Sequence, residues 1–218
     1  STTGFRKDFV DASSRYLTSD GAQGSRVTTT TVANETDFSA GALQETGREL
    51  DVAIEGKGFI AVIAKDGSEA YTRAGELHVN TLGQLITRAG LPVLGNGGPI
   101  SLPPADKVTL GSDGTITIQP QGQPPEVLSI VDRIKLVKPN YADIDKGQDG
   151  LIRRRDQEEQ EPDAAIRLQS GFLESSNVNP VNELTEIMGL ARQFEVNVKM
   201  MKVIEENSDA ARQVLRSS

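Results

Sequence analysis

Few residues in this chain could do chemistry, and their spacing does not help a catalyst. His78 is the one histidine and cysteine is absent, so a Ser–His–Asp triad has a single candidate base and a zinc site lacks its usual ligands. His78 sits among strand-like residues, where a lone histidine is more commonly packed or half-exposed than catalytic. No serine stands in a Gly-x-Ser-x-Gly elbow. Gly95-Asn96-Gly97-Gly98 could suggest a phosphate cradle, but the Gly-Lys-Ser/Thr ending is missing and Pro99 and Pro103 stand where a helix would begin. It reads as turn chemistry. Arg153, Arg154 and Arg155 are followed by Asp156, Glu158, Glu159, Glu161 and Asp163, which describes a solvated zwitterionic loop rather than a nucleic-acid contact. Those carboxylates do not follow the Asp-x-Asp-x-Asp-Gly order of a calcium loop. A glycosidase needs two carboxyl groups held across a cleft, and an acid pair such as Asp66 and Glu69 lies in turn-like sequence. We therefore expect no enzyme, no cofactor, no metal and no small-molecule substrate.

The elements that would have to position a site are themselves sparse in core-forming residues. Of 218 residues, 36% are apolar and 4% aromatic, while 21 are glycine and 10 proline. That composition suits a loop-rich, β-leaning chain with a thin core. The net charge of −8 argues against binding to nucleic-acid phosphates. No stretch approaches the roughly 20 apolar residues of a membrane span, and residues 1–9 lack the apolar stretch of a cleaved secretory signal. The first residue is Ser1 rather than Met, which suggests a processed or trimmed start.

Residues 1–47 are polar and aperiodic apart from the β-prone run Val27–Val32, and we expect an extended linker there, without core residues. From Leu50 to about residue 170, short strand candidates alternate with Gly and Pro signals. Phe59–Ala64 is a buried-strand candidate, and Ser112-Asp113-Gly114 is a hairpin turn between Lys107–Leu110 and Thr115–Ile118. Leu128–Val137 reads as one further strand, with Ile130, Ile134, Leu136 and Val137 in the core. The expected fold is mainly β, an irregular antiparallel domain over 48–170, with a long C-terminal helix over 171–218.

That helix should start at Asn179-Pro180, an N-cap followed by a first-turn proline, and run to about Leu215, roughly 50 to 55 Å. One apolar seam follows Leu184, Ile187, Ala191, Phe194, Val198 and Met201, alternating steps of three and four residues as in a coiled coil. A second follows Val196, Met200, Val203, Ala210 and Val214. No other segment offers an amphipathic helix to cover both. Packing on the β domain is one reading. Partners outside this chain are the other and the preferred one, because the helix overshoots a β domain of this size.

Several stretches together resemble the flagellar axial proteins, specifically those of the basal-body rod. Ser1-Thr2-Thr3-Gly4-Phe5-Arg6 is similar to the end of that family's N-terminal signature. Leu50–Phe59, Tyr71–Leu77 with Asn80–Leu85, and Gly171–Asn179 with Glu183, Met188, Arg192, Phe194 and Glu195 resemble three further blocks, in order along nearly the whole chain. Gly97–Pro103 and Arg133–Lys138 look most like the proximal, F-type branch, with the distal, G-type branch next. The family's N-terminal amphipathic helix has no counterpart here, which matches the uncovered seams. The resemblance implies a structural subunit, exported without a cleaved signal, that assembles helically in the periplasmic rod with other rod subunits and copies of itself. Terminal helices would form an inner tube, with the β domain outward. A distal rod or hook-type axial protein is the alternative. A β adhesion module on a coiled-coil stalk and a wall-opening muramidase are further readings from other classes.

Overall fold

The computed structural model describes residues 3–6, 8–16 and 27–216, without side-chain placement in 8–16, 27–35, 180 and 208–216. It divides into two compact units, Ser1–Asn177 and Val178–Ser218. The first is built of short antiparallel strands. β1 (Asp8–Tyr16) and β2 (Val27–Thr36) form a ribbon of their own. There follow β3 (Leu43–Glu45), β4 (Val52–Glu55), β5 (Phe59–Ile63), β6 (Glu69–Thr72), β7 (Leu77–Val79) and β8 (Leu85–Thr87). Next come β9 (Leu94–Gly95), β10 (Gly98–Pro99), β11 (Ala105–Leu110), β12 (Thr115–Pro120), β13 (Ser129–Arg133) and β14 (Leu136–Val137). β15 (Ile144–Lys146), β16 (Ile152–Arg154), β17 (Arg167–Ser170) and β18 (Phe172–Glu174) close the unit.

The centre is a five-stranded sheet in the order β14-β5-β6-β16-β15, beside a three-stranded sheet β11-β12-β13. β5 explains its own sequence. Ile60 and Val62 join one apolar cluster with Leu77, Leu85 and Ile116, while Phe59 and Ala61 join a second with Tyr71 and Ile152. A strand covered on both faces reads as a continuous apolar run. Turns are set by side chains that replace missing backbone partners. Asn80 Oδ1 accepts from the Leu82 and Gln84 amides at 2.9 Å each, and Asp113 Oδ1 accepts from the Thr115 amide at 3.1 Å. The latter closes the β11–β12 hairpin at Ser112–Gly114, as the sequence led us to expect. Gly75 has a different purpose: a Cβ there would lie 1.7 Å from the Val52 carbonyl oxygen, and the Gly75 carbonyl accepts from the Val52 amide at 2.9 Å. Only a glycine allows that approach.

Two expectations need correcting. Leu128–Val137 is not one strand, and Ile130 is not in the core; it is 74% exposed, whereas Ile134, Leu136 and Val137 are buried. A register shift in the β12–β13 pairing, where Ile116 faces Asp132 but Thr117 faces Ile130, breaks the alternation and turns Ile130 outward. The chain then leaves β13 in one sheet and enters β14 in the other. The second correction concerns 1–47, expected to lie extended and without core residues. β1 and β2 pair with each other, β3 pairs with β18, and Arg6 is buried. Phe38 stacks on Tyr141 at 4.7 Å and meets Phe59 edge-on at 6.1 Å.

The second unit is one helix, α1 (Pro180–Arg216), 37 residues long. Asn179 Oδ1 accepts from the Val181 amide at 3.0 Å, and the Asn179 carbonyl accepts from the Glu183 amide at 3.1 Å. This is an N-cap with proline in the first helical position and an acidic residue in the first turn.

Candidate assembly surface

The residues that could have suggested chemistry are occupied by neighbours. Gly95–Gly98 is the tight connection of the β9–β10 pair. Each member of the arginine triplet meets a carboxylate: Arg153 contacts Asp149 at 2.6 Å and Asp66 at 3.6 Å, Arg154 contacts Asp156, and Arg155 contacts Asp145 at 2.9 Å. The hydrogen bonds raise the three guanidinium pKa values and lower those of Asp145, Asp149 and Asp156. Charges neutralised in this way along β15 and β16 offer phosphates little, and they guard a sheet edge against further strands. Glu69 is held by Lys135 at 2.7 Å and by the Tyr71 hydroxyl at 3.0 Å. Burial, then the Glu69 charge, pushes the Tyr71 phenol above its ordinary value. His78 lies on β7 opposite Ile86. Among the described residues no group of three or more His, Cys, Asp or Glu could hold a metal ion, and no helix is long and apolar enough to cross a membrane.

The eleven seam residues singled out in the sequence all lie on α1. At about 100° per residue, Leu184, Ile187, Ala191, Phe194, Val198 and Met201 fall within one arc of about 100°. Val196, Met200 and Val203 lie nearly opposite. Ala210 and Val214, also on the second seam, lie outside the residues whose side chains are described. The named side chains are exposed; Leu184 is 64%, Phe194 71%, Met201 62% and Met200 59% accessible. On one side the stripes are parted by a charged ridge of Arg192, Glu195, Lys199, Lys202 and Glu206, in which Lys199 pairs with Glu195 at 2.9 Å. The exposed Leu190 and Ile204 lie between them on the other. A helix with two opposed apolar stripes can be gripped from both sides, and its ridge fixes how it is turned between them.

A second cluster was not anticipated. Glu174 of β18 is 1% exposed, and its carboxylate takes Arg6 on Oε1 at 2.6 Å and Arg73 on Oε2 at 2.7 Å, both guanidiniums being buried. Burial draws the Arg73 pKa down, and Glu174 opposes it. All three residues lie within the quoted sequence blocks, but nothing in the spacing of positions 6, 73 and 174 joins them.

Two family models match the chain. Residues 53–118 match the flagellar hook protein FlgE/F/G D1 domain, and residues 169–214 match the flagellar basal body rod FlgEFG protein C-terminal region. The flagellar basal-body rod protein FlgF of Salmonella typhimurium is 40% identical over 188 residues, which span 84% of this chain and 74% of the relative. FlgF of Caulobacter vibrioides is 38% identical over 178 residues, 80% of this chain and 69% of the relative. The rod protein FlgG of Bacillus subtilis is 35% identical over 184 residues, 79% of this chain and 67% of the relative.

Proposed function

The chain belongs to the family of flagellar basal-body rod proteins, and on that footing we propose that it is a structural subunit of the rod whose helix α1 packs between helices of neighbouring subunits. It resides in the flagellar basal body and acts by transmitting torque through packed helices rather than by catalysis. The carrying observation is the pair of opposed, exposed apolar stripes on α1. On this reading Leu184, Ile187, Ala191, Phe194, Val198 and Met201 face one neighbour, and Val196, Met200 and Val203 face another. The neighbours are copies of this chain and other rod subunits, with no nucleic acid and no small-molecule ligand. The proximal, F-type position is favoured, since F-type relatives match at 40% and 38% identity against 35% for a G-type relative. On this reading α1 (Pro180–Arg216) is the inner-tube helix, while β18 (Phe172–Glu174), expected within the helical segment 171–218, belongs to the β domain through its pairing with β3.

Imaging of assembled basal bodies with this chain traced in the density tests the reading. The expected result is α1 in the inner wall, with a helix against each stripe. An α1 lying at the periphery with either stripe in solvent would overturn it.

A further inference from the structure

Residues 3–6 lie against the β domain through contacts of unequal strength. Gly4, at φ +67°, sits so close to the Arg73–Ala74 backbone that a Cβ would be 2.5 Å from the Arg73 carbonyl carbon. Its amide donates to the Glu174 carbonyl at 2.9 Å, and the Asn177 amide donates to the Phe5 carbonyl at 3.4 Å. The Lys146 ammonium donates to the Arg6 carbonyl at 2.7 Å and lies 4.0 Å from the centre of the Phe5 ring. Among the described residues a further tie is the Arg6–Glu174 pair.

Glu174 does not divide itself evenly. Arg73 is fixed independently, since its Nη1 and Nη2 donate to the Gly56 carbonyl at 2.9 Å each and its Nη2 also reaches the Ile54 carbonyl at 3.1 Å. Arg6 reaches Glu174 through Nη2, but its buried Nε and Nη1 find no partner among the described residues. One carboxylate thus faces two buried guanidiniums while also accepting from the Gly41 amide at 2.7 Å. The surplus positive charge and the two unmet donors both belong to Arg6. A buried cation that is incompletely paired gains by returning to water, whereas Arg73 without Glu174 would still be held by three carbonyl bonds.

We propose that residues 3–6 are a releasable strap, locked when Arg6 enters the Glu174 site and freed when it leaves, while Arg73 keeps the β domain folded. The strap forms one wall of a cleft of about 1040 Å³ whose other walls include Thr72, Arg88, Gln148 and Leu151. Its release opens that cleft and takes Phe5, already 38% exposed, away from the Lys146 ammonium. Residues 6 and 174 stand far apart in sequence, so the strap locks only once β18 is in place. This inference concerns the single chain and stands apart from the rod reading.

The test is amide hydrogen exchange by NMR on the full chain, beside thermal melting, for wild type, Arg6→Ala and Arg73→Ala. Arg6→Ala should speed exchange at Gly4 and Asn177 by about tenfold or more, with β5 and β6 amides and the melting temperature nearly unchanged. Arg73→Ala should lower the melting temperature clearly and speed exchange across β4, β5 and β6. Unchanged protection of Gly4 and Asn177 in Arg6→Ala would show that the ion pair does not hold the strap. A melting temperature as low in Arg6→Ala as in Arg73→Ala would show Arg6 to be a fixed part of the core. Either result overturns the proposal.

Discussion

Replacing Phe194 by Asp should separate assembly from folding. Phe194 is 71% exposed on the isolated chain, so the substitution removes little that the subunit uses alone, and the β-domain melting temperature should stay within a few degrees of wild type. Between two subunits the arithmetic differs. Burying a phenylalanine side chain contributes about 2 to 3 kcal/mol, and a carboxylate forced into the same apolar seam without a partner costs about as much again or more. A loss of about 5 kcal/mol per contact weakens association by roughly 10³- to 10⁴-fold. Phe194→Leu keeps most of the apolar area and should cost under about 1.5 kcal/mol. Lys199→Ala, on the charged ridge, should be mild. Motility and the number of completed basal bodies are measured beside the amount of protein exported and the melting curve of the purified chain. Normal motility with Phe194→Asp, at normal export, would show that this stripe holds nothing together. A β domain that melts early in the same variant would mean instead that α1 supports its own subunit.

Three further pairs of outcomes concern the β domain and α1. Gly75→Ala sets a methyl group against the Val52 carbonyl and should cost about 3 kcal/mol or more, seen as a much lower melting temperature, whereas Gly189→Ala in α1, which meets nothing within 4 Å, should stabilise the helix slightly. Ile134→Ala should cost about 2 to 5 kcal/mol, while Ile130→Lys should change the melting temperature by no more than a degree or two because Ile130 already stands in water. The Thr115 hydroxyl and then its amide hold the Asp113 carboxyl below the ordinary value; a depressed carboxyl stabilises the fold above its unfolded pKa and loses that contribution as pH falls through the folded one. Melting temperatures should therefore drop as pH falls below about 4, and in Thr115→Val the Asp113 resonance should titrate closer to 3.8.

Periodicity carried the larger elements of the fold. The start of α1 was legible because Asn179 and Pro180 act locally, and its stripes because helical spacing is independent of what covers it. The β11–β12 hairpin was legible for the same local reason, through Asp113 and Gly114. Leu128–Val137 misled because a bulge is a property of the pairing, not of either strand. The alternation of Ile130 and Ile134 carries no mark of the register shift opposite Ile116. The involvement of residues 3–6 and 38 in the domain was hidden more deeply, since neither Arg6 nor Phe38 belongs to an apolar run. Their partners, Glu174 and Tyr141, lie more than a hundred residues away. Only the three-dimensional path brings such groups together, and a buried ion pair leaves no period in the sequence to read.

A helix that is apolar on two opposed sides has a consequence for growth. In a row of such helices every interior member has both stripes covered, but the member at a free end keeps one stripe wet. The first pair to meet covers only one stripe on each helix, and only from the third onward does any helix have both covered. Each arrival, the first included, covers one further pair of stripes, so starting a row and extending it are equally favoured for a single row of helices. Such a row lengthens gradually with concentration, without a lag or a threshold, loses subunits from its ends, and can be halted by a single cap that covers the last stripe without presenting another.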